Sequence, residues 1–353
     1  MMTSPDHPEL SQLCDAVREN GSESWPAESL QRCGESGFFR WFAPLELGGF
    51  GWSASAIARG YLQLSASDLT TTFILTQRVA ALRRIIGCEN EQLLSSMIEP
   101  MLAGKISMTV GISHLTTSRQ HLKQPPVIAT RTDSGFSING SVPWVTGGAE
   151  ADYILMGASL MEGDIDTGQQ ILFLADTSRP EVVVQKTFPL LALSSSHTGA
   201  VRCDNLSVQP EQVVAGPKEN VLATNGGGAG GLQTSILALG LAGAAIDFIE
   251  RESKSRNDVA ASQEAFRSQW ERLQQELFDA AEGSDRVTPG EIRAQANSLA
   301  LRVTQAALVV AKGAGFVEGH PVGRWCREAM FFLVWSCPQS VAAANLAEFA
   351  ACE

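Results

Sequence analysis

The stretch Ser141-Val-Pro-Trp-Val-Thr-Gly-Gly-Ala-Glu-Ala-Asp152 is the part of the chain that decides the fold. Trp144 and Thr146 stand two residues apart, and side chains two apart on a strand point to the same face of a sheet. A strand through this stretch therefore carries an indole ring and a hydroxyl together. Out of context, the pair is also compatible with a core aromatic residue and an ordinary strand threonine.

Short β-rich runs surround this stretch, and we expect a middle β domain over residues 105–217. Asn139-Gly140 falls between two of these runs. Because Asn-Gly readily takes the positive φ angles of a tight turn, the sequence predicts a hairpin turn there that leads into Trp144.

Helical periodicity dominates the first part of the chain, and we predict a helical domain over residues 1–104. Its clearest apolar series recurs at helical spacing and contains Phe73, Leu75, Val79, Leu82 and Ile85. Clustered glycines in Pro44–Gly51 break the pattern and predict a loop.

A second helical domain is expected over residues 218–353. One apolar stripe there has spacings of four, three and four, at Phe266, Trp270, Leu273 and Leu277. Thr288-Pro-Gly-Glu291 combines a capping hydroxyl, a first-turn proline and a capping-box glutamate, so it predicts the start of a long helix. Gly313 is the predicted end of that helix.

Composition excludes several classes of function. The 353 residues are 44% hydrophobic, which is enough for a sizeable core. The net charge of -12 and the pI of about 5.0 disfavour a nucleic acid or an anionic membrane as a partner. The N-terminus lacks a basic start and an apolar run, and no long apolar span stands out, so we expect a cytoplasmic protein.

The 7 cysteines and 5 histidines are scattered along the chain. The cysteines are odd in number and never spaced Cys-x-x-Cys, which argues against a disulfide framework and a structural zinc site. We therefore predict no metal site.

The order of helices, strands and helices, together with several motifs, resembles the acyl-CoA dehydrogenase family over nearly the whole chain. The segments that carry the resemblance are Ser141–Asp152, Pro44–Gly51, Ser196–Asp204, Gly240–Ala242 followed sixteen residues after Gly240 by Arg256, Gly313–Phe316, and His320–Ala329. The resemblance implies an α+β fold with an N-terminal helical domain, a middle β-barrel-like domain and a C-terminal four-helix bundle.

The resemblance also implies FAD as cofactor. In the family the Trp packs on the isoalloxazine ring and the Thr hydroxyl approaches its reactive nitrogen, while the arginine contacts the pyrophosphate of FAD in a neighbouring subunit. The residues expected to bind FAD are accordingly Trp144, Thr146, Ser113, Arg256, Gly313 and Gly315. The implied substrate is an acyl-CoA or a related small molecule, and the implied assembly is a homodimer or homotetramer.

The family's catalytic glutamate has no counterpart here. Its register position falls on Trp335 or Ser336, and neither can remove a proton from carbon. The alternative position used by a minority of the family falls on Asn225–Gly231, which contains no acid. The catalytic residues are therefore unknown, and ordinary β-oxidation chemistry is in doubt.

Other family positions have also changed. The loop that lines the flavin is replaced by Ser113–Arg119. The residues after the pyrophosphate arginine have become Val259 and Ala260, and the Gln before the C-terminal glycine motif appears as Val309. These replacements would weaken FAD binding.

Several residues have a chemical and a structural interpretation. His114 could exchange a proton near the flavin, although a surface or core histidine is favoured. Cys337 could be a nucleophile, but nothing adjacent in sequence would activate it. Arg256 could bind pyrophosphate or lie in solvent, and Arg327 is expected to brace helix packing by pairing with Glu328 or another acid.

The run Gly226–Gly231 formally matches the dinucleotide-binding pattern, with Asp247 and Glu250 about twenty residues beyond. Helical sequence follows it instead of a βαβ unit, so we interpret the run as a flexible connection.

Three functions remain open. The first is an FAD-dependent oxidoreductase of the acyl-CoA dehydrogenase type that transfers hydride to flavin. The second is a flavin-dependent monooxygenase of the same fold, which needs no α-proton base. The third is a non-catalytic paralogue that serves as a binding subunit.

Overall fold

The protein is described by a computed structural model that covers residues 4–19, 24–115, 125–223 and 231–351. The first part is helical, with α1 at Pro8–Glu19, α2 at Ala27–Glu35, α3 at Ala54–Ser67, α4 at Leu69–Ile86 and α5 at Glu91–Leu102. The apolar series predicted for a helix lies on α4, and all five of its members are buried. Asp68 begins α4 by accepting a hydrogen bond from the Thr71 amide at 2.7 Å.

The middle part is one mixed sheet of eight strands. They are β1 at Met108–Gly111, β2 at Val127–Thr132, β3 at Gly135–Val145, β4 at Tyr153–Glu162, β5 at Ile165–Asp176, β6 at Val182–Thr187, β7 at Gly199–Val208 and β8 at Val213–Lys218. The order is β6-β7-β3-β2-β4-β5-β8, and β1 pairs with β4 in parallel.

Strand β4 connects the sheet to the helices because both of its faces are buried. Ile154 and Met156 pack within the core of the sheet. Leu155, between them, packs into the larger core that the helices form. Alternation along the strand therefore sends neighbouring side chains into two different cores.

The last part is helical again, with α6 at Gln233–Ser253, α7 at Asn257–Ala281, α8 at Pro289–Ala311, α9 at Pro321–Phe331 and α10 at Gln339–Phe349. The predicted start of α8 is confirmed, since Thr288 and Glu291 form a reciprocal capping box. The helix ends at Ala311, and a 3₁₀ turn over Lys312–Phe316 follows it. Helices α6 to α9 pack on one another, and the predicted α+β arrangement is confirmed.

The predicted hairpin turn at Asn139-Gly140 is wrong. Both residues lie inside the continuous strand β3, and β2 and β3 are joined by a tight turn after Thr132. The pairing of β3 with β7 shifts register between Ile138 and Gly140. The Asn139 side chain accepts a hydrogen bond from the Asn205 amide at 2.9 Å. The Asn-Gly pair therefore lies at a β-bulge instead of a turn. Gly140 has a positive φ there, as it would in a turn.

Two helices are long and apolar enough to cross a membrane by length and composition alone: Gln233–Ser253 and the continuous helical segment Pro289–Phe316. The first has 72% of its apolar window buried inside the protein. The sequence analysis expected no such span.

Gly140 should be intolerant of a side chain. Its φ is +125°, and a Cβ there would overlap the carbonyl oxygen of Pro126. We expect Gly140→Ala to lower the free energy of unfolding by about 3 kcal/mol, from backbone strain and overpacking together.

The matched control is Gly163→Ala, at φ +60° with nothing within 4 Å of the added carbon. Only backbone strain remains at that position, so about 1 kcal/mol is expected. Chemical denaturation of both variants measures the difference. Equal losses would show that the Pro126 contact has no energetic role.

Candidate functional site

The indole of Trp144 lies at the surface of the sheet near the end of β3. The residue is 51% exposed, although it is a large apolar side chain. Its only ring contact among the described residues is with Phe188, at 4.9 Å between centroids. The interpretation of Trp144 as a core aromatic is therefore excluded, and the indole offers an accessible aromatic face.

Thr146, two residues after Trp144, belongs to a chain of buried hydroxyl groups. Thr146 Oγ1 is 3.0 Å from Thr198 Oγ1, and Thr198 Oγ1 is 2.8 Å from Ser196 Oγ. All three residues are buried. We call these three residues the hydroxyl chain. Ser196 and Thr198 lie within the motif Ser196–Asp204, but no role was predicted for either residue; the alternation Ser-x-Thr is the signal that could have indicated them.

Backbone hydrogen bonds fix the two turns that carry the hydroxyl chain. The Gly147 amide donates to the carbonyl oxygens of Ser196 and His197, at 3.0 and 3.2 Å. The Thr109 hydroxyl donates to the Thr146 carbonyl at 2.7 Å. The end of β3 is therefore held from both β7 and β1.

A hydrogen bond between two side chains also joins these turns. His197 Nδ1 is 2.9 Å from Glu150 Oε1, and the imidazole lies 5.3 Å from the ring of Trp25. Leu193 and His197, on either side of the 3₁₀ turn Ser194–Ser196, have φ of 60° and 49°. His197, at one end of this turn, is thus held by Glu150 and Trp25 in a left-handed backbone conformation.

Ser113 and His114 follow β1 in the 3₁₀ turn Ser113–Leu115. His114 is buried, and its Nε2 lies 3.0 Å from the Gly157 carbonyl oxygen. Because a carbonyl only accepts, Nε2 carries a proton and His114 is a core histidine. The rest of the predicted loop, residues 116–119, lies outside the described residues.

Trp335, one of the two register positions of the missing base, is packed among aromatic rings. Trp335 stacks on Phe331 at 5.1 Å and 16°, and Phe73 of α4 meets Trp335 edge-on at 4.9 Å. We call these three residues the aromatic cluster. Ser336, the other register position, is exposed with φ of 43°.

Two buried side chains of α8 hold the turn that carries the aromatic cluster. Arg293 donates to the carbonyl oxygens of Phe332 and Trp335, each at 2.9 Å. Asn297 donates to the Phe332 carbonyl at 3.1 Å. Burial lowers the pKa of Arg293 to about 10, so its guanidinium stays charged at neutral pH.

Cys337 follows this turn. Burial raises the pKa of its thiol. A thiol with a raised pKa is a poor nucleophile at neutral pH, which agrees with the structural interpretation of this residue.

Three of the residues expected to bind FAD lie together in the C-terminal helical part: Arg256, expected at the pyrophosphate, Gly313 and Gly315. Arg256 begins α7, donates to the Val310 carbonyl at 2.8 Å and pairs with Asp258 at 3.0 Å. Gly313 and Gly315 lie in the 3₁₀ turn directly after α8. Arg256 is thus next to the glycine turn, but its guanidinium is already bound within the chain. Exposed apolar residues surround the turn at Val309, Phe316 and Val317.

Asp247 and Glu250, the acidic residues about twenty positions after the glycine run, are engaged within the chain. Both accept hydrogen bonds from Arg267 of α7. Gly226 to Gly230 lie outside the described residues.

A buried charged group links α4 to α9. Arg324 lies 3.6 Å from Asp68 and 3.6 Å from Glu328, and both carboxylates are 2% exposed. Burial raises the pKa of Glu328 to about 7, opposed by the charge of Arg324. Arg327, which was expected to brace the helices, is exposed and forms no ion pair among the described residues. Arg324 has that role, one helical turn before Glu328.

No group of three or more histidine, cysteine or acidic side chains with the geometry of a metal site occurs in residues 4–19, 24–115, 125–223 and 231–351.

Comparison with known proteins agrees with this architecture. No protein-family model matches the chain. Over 350 residues it is 23% identical to benzylmalonyl-CoA dehydrogenase of Aromatoleum aromaticum (strain DSM 19018 / LMG 30748 / EbN1), covering 89% of this chain and 86% of that protein. The structure of glutaryl-coenzyme A dehydrogenase in complex with glutaryl-CoA superposes with a TM-score of 0.81 at 17% identity, over 98% of this chain and 96% of that one.

The chain has the acyl-CoA dehydrogenase fold. The resemblance predicted from the sequence is thereby confirmed. The fold is shared by a dibenzothiophene monooxygenase of Paenibacillus sp. A11-2, which superposes with a TM-score of 0.78 at 18% identity over 99% of this chain and 98% of that one. Within this acyl-CoA dehydrogenase fold, the Trp144 face and the hydroxyl chain lie on the sheet, and the aromatic cluster lies between α4 and α9.

Glu328 should make stability depend on pH. Its pKa is about 7 in the folded chain against an ordinary value of 4.5, so between these values the folded state holds a proton that the unfolded state has lost. The stabilisation is complete below about pH 4.5 and is lost as the pH rises through 7. We expect a loss on the order of 3 kcal/mol from this group.

Glu328→Gln should remove that part of the dependence, because glutamine imitates the protonated side chain. Unfolding free energies of wild type and variant at pH 5 and pH 8 test this. The variant should gain stability relative to wild type at pH 8. A constant difference between the two proteins at both pH values would contradict the assignment.

Proposed function

We propose that this protein is an FAD-dependent oxidoreductase that acts on an acyl-CoA or a related small substrate. The observation that carries the proposal is the accessible indole of Trp144, two residues before the buried hydroxyl of Thr146. A half-exposed tryptophan is unusual on a monomer surface, and together with a fixed hydroxyl it suits a flat heteroaromatic ring.

The residues around Trp144 fit the ring of a flavin. Trp144 supplies a face for packing, and Thr146 supplies a hydrogen-bonding hydroxyl at the edge. Ser113, in the turn after β1, is the third residue proposed to contact this half of the cofactor. When bound, FAD supplies a hydride acceptor, while the protein's own residues bind and orient the reactants.

The other half of the cofactor would be held by Arg256, Gly313 and Gly315 of a second copy of the chain. The exposed apolar residues Val309, Phe316 and Val317 beside that turn support an interface between copies. We therefore propose a homodimer or homotetramer. Val259 stands where the family has a phenylalanine, and it is buried in the protein core, so no aromatic ring is available there to stack on the cofactor. Arg256 would have to release Asp258 in order to bind phosphate.

The aromatic cluster argues for altered chemistry at this site. Trp335, one of the two register positions of the base, is packed between Phe331 and Phe73, and the other position, Ser336, carries no carboxylate. Removal of an α-proton from an acyl thioester would need another group or water, so we propose slow turnover with acyl-CoA substrates.

A flavin-dependent monooxygenase is the second candidate. It needs no α-proton base, and the aromatic cluster offers an apolar surface to an aromatic substrate. The similarity to dibenzothiophene monooxygenase supports this candidate at the level of the fold.

Binding of FAD tests the proposal directly. Purified protein titrated with FAD should show a perturbed flavin absorption spectrum and quenched fluorescence. We expect Trp144→Ala to weaken binding about tenfold, because the stacking contact is lost. Ile165→Ala is the matched control, since Ile165 is 71% exposed on the same sheet and should leave FAD binding unchanged.

Two further assays separate the candidate functions. Anaerobic bleaching of bound flavin by acyl-CoA thioesters would favour the dehydrogenase. Oxygenation of indole or dibenzothiophene, supplied with reduced flavin and oxygen, would favour the monooxygenase. Wild-type protein that takes up no flavin would contradict both and leave a non-catalytic binding subunit.

A further inference from the structure

We propose that Thr198, with Ser196 behind it, sets the direction in which the Thr146 hydroxyl points its hydrogen toward the flavin ring. The proposal rests on the proposed function, and it makes Thr198 and Ser196 positioning residues. Neither is expected to touch the cofactor.

The number of hydrogens in the hydroxyl chain limits how its members can bond to one another. Each hydroxyl has one hydrogen and can accept two hydrogen bonds. Thr198 Oγ1 lies between Ser196 Oγ at 2.8 Å and Thr146 Oγ1 at 3.0 Å. If Ser196 donates to Thr198 and Thr198 donates to Thr146, the hydrogen of Thr146 is left for an acceptor outside the chain. If Thr146 donates to Thr198, Thr146 can only accept from outside.

The oxidised and the reduced flavin ring need opposite directions of the hydrogen bond with Thr146. The oxidised ring presents a nitrogen that accepts a hydrogen bond, whereas the reduced ring carries a hydrogen at that nitrogen. Thr146 can donate in the first case and accept in the second, because Ser196 and Thr198 can reverse their hydrogen bonds together. The protein thereby keeps a satisfied hydroxyl beside the ring in both states.

The geometry leaves the oxygens little freedom to move. Ser196 and Thr198 are 0% and 6% exposed. The Ser196 carbonyl accepts from the Gly147 amide, and the Thr198 carbonyl accepts from the Phe188 amide at 2.9 Å. Phe188 also packs on Trp144. Only the hydrogens can reorient, and at low dielectric an unmatched hydroxyl is costly.

Thr109 also contacts Thr146, but it does not set the direction of the Thr146 hydroxyl. Its hydroxyl donates to the Thr146 carbonyl, so it holds the backbone and does not enter the hydroxyl chain. Thr198 is consequently the one described side chain that hydrogen-bonds to the Thr146 hydroxyl.

Thr198→Val removes the central hydroxyl at nearly constant volume, and Thr198→Ser restores it. We expect Thr198→Val to bind oxidised FAD about tenfold more weakly, the effect of one lost buried hydrogen bond. Reduced FAD should lose more, because the hydrogen of Thr146 then has no acceptor in the hydroxyl chain. Each further tenfold loss in the reduced state lowers the midpoint potential of bound FAD by about 30 mV for a two-electron couple. Thr198→Ser should return both values close to wild type.

Ser196→Ala removes the next hydroxyl of the chain and provides a test if Thr198→Val does not fold. It should change the FAD affinity and the midpoint potential in the same direction as Thr198→Val, but by less. Thr304→Val is the matched control. Thr304 is a buried threonine of α8 whose hydroxyl donates to the Ala300 carbonyl at 2.8 Å. Its loss should change thermal stability but not FAD affinity or potential.

The two proposals fail differently. Wild-type protein that binds no FAD overturns the proposed function and this inference with it. Wild-type protein that binds FAD while Thr198→Val or Ser196→Ala has unchanged affinity and potential overturns the inference alone. A Thr198→Ser variant as impaired as Thr198→Val does the same, because only side-chain packing would then explain the effect.

Discussion

The pairing of β3 with β7 at the end that carries Thr146 is the constraint on which the candidate site depends. Strand pairing reaches Val145 and Gly199, and the Gly147 amide then bonds to the turn before β7. Trp144, one residue before the end of this pairing, is exposed, whereas Thr146, one residue after it, is buried.

The turn after α9 is a second constrained part of the candidate site. Arg293 and Asn297 occupy the carbonyl groups of the turn after α9, and Trp335 is fixed between Phe331 and Phe73. The indole of Trp335, one of the two predicted positions of the base, is therefore part of the aromatic packing, and the other position, Ser336, is exposed.

A buried group of charged residues lies away from the sheet, between α4 and α9. The carboxylates of Asp68 and Glu328 share Arg324 between α4 and α9. This group connects the first and last helical parts of the chain, and its cost in stability depends on the protonation of Glu328. The spacing of four residues between Arg324 and Glu328 could have indicated this pair, because adjacent residues such as Arg327 and Glu328 do not face each other on a helix. Only the tertiary structure brings Asp68 to the same guanidinium.

The sequence by itself determined the α+β arrangement, the apolar stripe of α4, the cap at Thr288 and the candidate role of Trp144. Each of these depends on local spacing or on motifs read in order. Tertiary structure alone decided that Asn139-Gly140 forms a bulge, that Trp144 is exposed, and that Ser196, Thr198 and Thr146 share hydrogen bonds. These features depend on which strands are neighbours, and distance along the chain does not reveal that when the partners are fifty residues apart.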